Sequence, residues 1–128
     1  MGSATLTVMS FPDDDLGRIH AAKEVDIETQ VPDGPAHRVT IWAVVDDNEV
    51  LVRSYLGPSA RWYREALANP AVALHVDGRR LTATAIPATH PDTIERASAA
   101  FLAKYRPSAS TTAMATQYLE TTLRLEPT

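Results

Sequence analysis

Cysteine is absent from this 128-residue chain. That excludes disulfides, thiolate metal sites and thiol nucleophiles, and it fits a reducing compartment, so a cytoplasmic location is the expectation. Long apolar runs are missing too. None is longer than Ile41 to Val45, which falls far short of the roughly 20 residues that a membrane helix needs, so no membrane span is expected. The opening MGSATLTVMS has neither a basic stretch nor an apolar core, so no secretory signal is expected. Nor is there an excess of basic residues. With Lys+Arg at 12 and Asp+Glu at 16 the net charge is −4, which argues against nucleic-acid binding by bulk electrostatics. The five glycines form no dinucleotide-binding loop, there is no strand–helix–strand rhythm, and no Gly-x-Ser-x-Gly elbow occurs. The four histidines (His20, His37, His75 and His90) do not pair at metal-ligand spacing, so no metal site is expected.

What is present suits one soluble domain over residues 1–128, with residues 1–10 expected to be flexible. Phe11 to Ala22 reads as a helix, opened by Pro12 and by Asp13–Asp15 at the positive end of its dipole. Glu24 to Val31 alternates as a half-exposed strand. Arg38 to Val45 is the most apolar strand, with both faces expected to be buried, against a core on one side and a partner or ligand on the other. Asp46-Asp47-Asn48 turns it back into Glu49–Tyr55. Arg61 to Ala68 forms a short helix with Trp62, Tyr63, Ala66 and Leu67 as its apolar stripe. Ala71–Val76 and Arg80–Ile86 make a second hairpin around Asp77-Gly78. A helix follows from Pro91 to about Tyr105, then a weakly signalled one at Ser110–Leu119 and a last strand at Thr121–Leu125. Six strands with inserted helices give an α+β chain whose antiparallel sheet closes into a small barrel.

The stretch RSYLGPSARWYREALANP, residues 53–70, carries the candidate chemistry. With Ser59 as N-cap, the first N–H groups of the helix point outward as an anion site, and Arg53 and Arg61 are placed to close on it. The alternative is a solvated turn beside a capped helix.

The run RVTIWAVVDDNEVLVRSYLGPSARWYREALANPAVALHVDGRRLTATA resembles the flavin- and deazaflavin-dependent oxidoreductases of the split β-barrel superfamily, relatives of pyridoxamine phosphate oxidase. Trp62 to Pro70 is similar to the Trp-Tyr-x-Asn-Leu-x-Ala-Asn-Pro of the deazaflavin-dependent nitroreductases. KYRPS (104–108) and TTLRLEP (121–127) resemble the small family of the DUF2255 type grouped with them. The resemblance covers roughly Val25 to Pro127. It departs at VPDGPAH (31–37), where the nitroreductases carry Gly-Arg-x-Ser-Gly, and at Glu65, where they carry Asn.

The resemblance implies an antiparallel six-stranded split β-barrel with flanking helices, a homodimer, and a cofactor at the dimer interface. The cofactor implied is the deazaflavin coenzyme F-420, with FMN as the alternative and a non-catalytic binding protein as a third reading. Arg53, Ser54, Ser59, Ala60, Arg61 and Trp62 would surround its phosphate or ring. Arg38, Thr40 and Trp42 would lie along the tricyclic ring. Tyr63, Tyr118 and Tyr55 are the candidates for a proton donor to a small organic substrate.

Overall fold

The computed structural model describes residues 9–128, so the expected flexible stretch at 1–10 falls almost wholly outside the described residues. Helix α1 (Asp13–Ala21) opens after Pro12 with three aspartates in its first turn and buries Leu16 and Ile19. Asp15 turns inward, 3.5 Å from Arg18 and 3.6 Å from Arg79, so one carboxylate of the triplet ties the helix to the sheet.

Seven strands follow: β1 (Val25–Gln30), β2 (Ala36–Ile41), β3 (Ala43–Asp46), β4 (Glu49–Val52), β5 (Ala71–Val76), β6 (Arg79–Pro87) and β7 (Leu123–Pro127). The β3–β4 and β5–β6 turns each place two residues at positive φ: Asp47 (50°) and Asn48 (61°), then Asp77 (50°) and Gly78 (72°). That is the mirror-image turn whose twist matches an antiparallel hairpin.

All strands join one sheet in the order β2-β1-β5-β6-β7-β4-β3, every pairing antiparallel. The two ends of that order, β2 and β3, are consecutive segments of the chain. Ile41 still pairs with Val25 of β1, Ala43 already pairs with Val52 of β4, and Trp42 between them pairs with neither. The bend at Trp42 therefore curls the sheet into a split barrel. It also explains the count: the expected strand Arg38–Val45 is two strands, and six become seven.

The helices are α2 (Arg61–Ala68), α3 (Pro91–Lys104) and α4 (Ala109–Thr116). His90 caps α3, its Nδ1 accepting from the Asp92 N–H at 3.1 Å. The fourth helix is shorter than Ser110–Leu119 because Tyr118 takes a left-handed backbone (φ 51°), after which Leu119–Thr121 makes a 3₁₀ turn. The last strand consequently begins at Leu123 rather than Thr121.

Apolar burial divides in two. Ile27, Val50, Val52, Leu74 and Leu123 fill the barrel interior, together with Trp62 and Tyr63 of α2. Val44, Leu51, Ala97, Phe101 and Met114 form a second cluster, where β3 and β4 meet α3 and α4. These helices cover only the β3 half of the bent strand. Val44 is buried, whereas Arg38, Val39 and Thr40 are exposed, so the expectation of burial on both faces fails for the first half of that strand. Among the described residues no helix is long and apolar enough to cross a membrane.

Candidate functional site

The bend at Trp42 leaves a groove of about 320 Å³ between the strand and α2. Val39, Thr40, Ile41 and Trp42 form one wall, and Ala60 and Trp62 at the start of α2 face them. Tyr55 and Leu56 lie along its rim, and Ser110 and Met114 of α4 close one end. The lining is mostly apolar, with aromatic walls at Trp42 and Trp62, which suits a planar ring system. Five of the residues expected to bind cofactor therefore converge on one groove: Thr40, Trp42, Arg53, Ala60 and Trp62. The rim is unusual for a free surface. Tyr55 is 49 % exposed, Leu56 68 % and Val39 39 %.

Arg53 reaches the groove from below, but the protein has already claimed it. Only 1 % of the residue is exposed. Its Nε donates to Thr122 Oγ1 at 2.9 Å, Nη1 to Ser98 Oγ and the Met114 carbonyl at 2.9 Å each, and Nη2 to the Ile94 carbonyl at 3.0 Å. Its guanidinium carbon also lies 5.6 Å from the centre of the Phe101 ring. Four of five N–H donors are used, all on neutral acceptors. Burial without a carboxylate partner lowers its pKa to about 10. The picture of an open arginine clamp at this position is thus corrected: Arg53 cross-braces α3, α4 and the approach to β7. Ser54 is likewise committed, its N–H to Thr121 Oγ1 and its hydroxyl to the Gly57 carbonyl at 2.7 Å.

Ser59 is not the N-cap. It sits in a 3₁₀ turn, Gly57–Ser59, and its hydroxyl donates to the Leu56 carbonyl at 3.4 Å. The helix begins at Arg61, as expected, but the residue before it, Ala60, takes the cap position and no side chain caps α2. The first N–H groups of α2 are left without intrahelical acceptors, and exposed Arg61 stands beside them. Arg38 and Thr40 share one carboxylate: Arg38 Nη2 donates to Asp26 Oδ2 at 3.1 Å, and Thr40 Oγ1 to Oδ1 at 2.8 Å. The Thr40 hydrogen bond, with Arg38 assisting, holds the Asp26 carboxyl below its usual range against some desolvation.

Of the tyrosines, Tyr55 lines the groove, whereas Tyr63 and Tyr118 are not among its lining residues. Tyr63 is buried edge-to-face against Trp62, and burial raises its phenol pKa. Tyr118 lays its ring over Gly57, where a Cβ would stand 2.7 Å from the ring and φ is +80°, so the position demands glycine.

The spacing of the sequence missed two arrangements. Glu65 faces inward, not to solvent, and Leu67 faces outward in its place. Thr29 donates to Glu65 Oε1 at 2.7 Å, and His37 Nδ1 lies 3.0 Å from both carboxylate oxygens. Burial alone would raise the Glu65 pKa; the Thr29 and His37 hydrogen bonds outweigh it and leave the carboxyl below its usual range. Glu65 thus pins α2 to β1 and β2. Tyr105 stacks on Trp42, centroids 3.9 Å apart and planes within 7°, which fixes the indole at the bend. The pairing spans more than sixty residues of chain, so no local pattern announces it.

Solved structures share this fold, three of them as follows. An F-420-H2-dependent reductase (FDR-A) matches with a TM-score of 0.63 at 18% identity, over 81% of this chain and 94% of that one. A structure described as a domain-swapped dimer matches with a TM-score of 0.63 at 18% identity, over 81% of this chain and 80% of the other. A Listeria innocua protein named as a candidate pyridoxamine 5'-phosphate oxidase matches with a TM-score of 0.60 at 12% identity, over 91% and 90%. A comparison with curated proteins finds no match. The family model described as "Uncharacterized protein conserved in bacteria (DUF2255)" matches residues 15–125, and the chain belongs to that family.

Proposed function

We propose that this protein is an oxidoreductase that binds the deazaflavin coenzyme F-420 in the Trp42–Trp62 groove and uses it on a small organic substrate. The observation that carries the reading is the groove itself: an apolar slot with aromatic walls, on which five residues singled out from the sequence converge. When bound, the deazaflavin would supply a hydride. The chain's own residues hold and shield it. Trp42, fixed by Tyr105, and Trp62 offer flat apolar walls, and Thr40, its proton given to Asp26, offers a hydroxyl oxygen as acceptor at the edge. The uncapped start of α2 and Arg61 are the groups left to receive a phosphate, since Arg53 is spent on protein acceptors.

The groove is also half a site. Its rim of Val39, Tyr55 and Leu56 is apolar and exposed, which favours a homodimer whose second copy covers it and excludes water from the cofactor. The likeness to a domain-swapped dimer supports a pair of chains.

FMN is the second reading, supported by the likeness to the oxidase-like protein. A third, cofactor binding without turnover, rests on the absent Gly-Arg-x-Ser-Gly segment. Titrating the protein with F-420 and with FMN, followed by fluorescence, separates them. Binding of F-420 alone, with reduction of an acceptor by the reduced cofactor, is the expected result. FMN binding alone favours the second reading, and F-420 binding without any turnover the third. Binding of neither overturns every cofactor reading.

A further inference from the structure

A larger groove, of about 1050 Å³, lies between α1, β3 and α3. Trp42 and Ser110 line both grooves, so the two adjoin at the bend. Its apolar wall is Trp42, Val45, Ala100 and Ala103. Its charged lining is mainly basic: Lys104, Lys23 and Arg106 against one carboxylate, Asp46, which already accepts from Arg96 at 2.8 Å.

Lys104 is the exceptional member. Its ammonium donates to the carbonyls of Ala43 (2.6 Å) and Ile19 (3.0 Å) and lies 5.3 Å from the centre of the Tyr105 ring. Among the described residues no carboxylate stands within ion-pair distance of it. Three N–H donors and two protein acceptors leave one donor over. A desolvated ammonium with no counter-ion is costly, and an incoming anion would offset that cost.

We propose that this second groove is the substrate site, and that Lys104 receives the oxyanion (carboxylate or phosphate) of a small organic substrate whose apolar body lies against Trp42 and the alanines of α3. The assignment rests on the cofactor reading only for the word substrate; the anion site stands on its own geometry. Burial lowers the Lys104 pKa to about 8, so the site loses its charge in a narrow alkaline window. The groups facing it from neighbouring elements are His20 and Lys23 at the end of α1, Asp46 at the end of β3, and Tyr105 and Arg106 after α3.

The test is calorimetric titration of the full chain with 1-naphthoate and 1-naphthyl phosphate, with neutral 1-naphthamide as control. Both anions should bind at least about tenfold more tightly than the amide, the worth of one charge-assisted hydrogen bond. Lys104→Met should abolish the preference and Lys104→Arg should keep it. In the unaltered protein, and in a His20→Gln control, naphthoate affinity should fall about tenfold between pH 7 and pH 9 as Lys104 gives up its proton. The Arg variant should show no such fall. Equal affinity for acid and amide, or a pH-independent naphthoate affinity in the unaltered protein, overturns the proposal without any variant needing to fold.

Repeating the titration on F-420-saturated protein identifies the source of the anion. Undiminished naphthoate binding supports a substrate site; competition assigns Lys104 to the cofactor's own anionic tail and overturns it. Should F-420 fail to bind, the cofactor reading falls while a charge-selective naphthoate isotherm still supports the anion site.

Discussion

Arg53 and Lys104 are both inward-facing cations that form no ion pair among the described residues, and they are held differently. Arg53 spreads a planar fork over Thr122, Ser98, Met114 and Ile94, so that neutral dipoles from three elements replace its water. Lys104 has two carbonyls and the face of a tyrosine, and sits in the wall of an open groove. Burial depresses both pKa values, to about 10 for Arg53 and about 8 for Lys104. Only the lysine is moved close to physiological pH. A cation whose donors are consumed is architecture; one with a donor left over beside solvent is available to a ligand. The family resemblance pointed to the first of these as the anion binder, and the geometry favours the second.

The largest test of that contrast is Arg53→Ala. It strands four acceptors inside the protein and should cost about 3 kcal/mol or more in denaturant unfolding. A variant within about 0.5 kcal/mol of the parent would contradict the bracing role. Arg53→Lys keeps the charge but loses the fork, and should recover less than half of that loss.

Next in size is the pH dependence. Lys104 binds fewer protons folded than unfolded between its folded pKa of about 8 and its ordinary value of 10.5, so unfolding free energy should rise as pH climbs through that window. Tyr105 acts in the opposite sense. Burial raises its phenol to about 12, and stability should fall as pH rises above its ordinary value of 10. Relative to Lys104→Met, the parent should therefore gain about 1–2 kcal/mol between pH 7 and pH 9.5. A constant difference would show that Lys104 is not desolvated. The smallest effect should come from Ser98→Ala, which removes one neutral acceptor from Arg53 and should cost about 1 kcal/mol by thermal unfolding. A cost as large as that of Arg53→Ala would mean that the bracing is not shared among its partners.

The acid limb offers a control away from both cations. Glu28 is held at about 2 by Arg80, which donates two hydrogen bonds, and by His75 at 2.7 Å. Its contribution is present above the ordinary carboxylate value and is lost as pH falls through about 2. Glu28→Gln should destabilise at neutral pH and match the parent near pH 2.

Much of the barrel was readable because short-range chemistry decides it. Asp77-Gly78 and Asp47-Asn48 set their turns, and the alternation of Val25, Ile27 and Thr29 set the inward face of β1. The bend at Trp42 was not readable. Arg38 to Val45 contains no glycine, proline or other turn residue, and where such a run changes partner depends on β1 and β4, not on the run itself. Ser59 was misassigned for a local reason: it belongs to the 3₁₀ turn Gly57–Ser59, and the cap position before Arg61 falls to Ala60. The role of Arg53 was hidden because its acceptors lie 41 to 69 residues away, three of the four through backbone carbonyls or a serine that carry no sequence signature.

Cofactor binding in the Trp42–Trp62 groove is tested most directly by the fluorescence anisotropy of F-420 titrated with the parent and with Thr40→Phe, which blocks the groove from an exposed strand position. The parent should bind one F-420 per chain, and the blocked variant, unfolding at the same temperature, should bind none. Equal binding by the two would place the cofactor elsewhere and contradict the assignment.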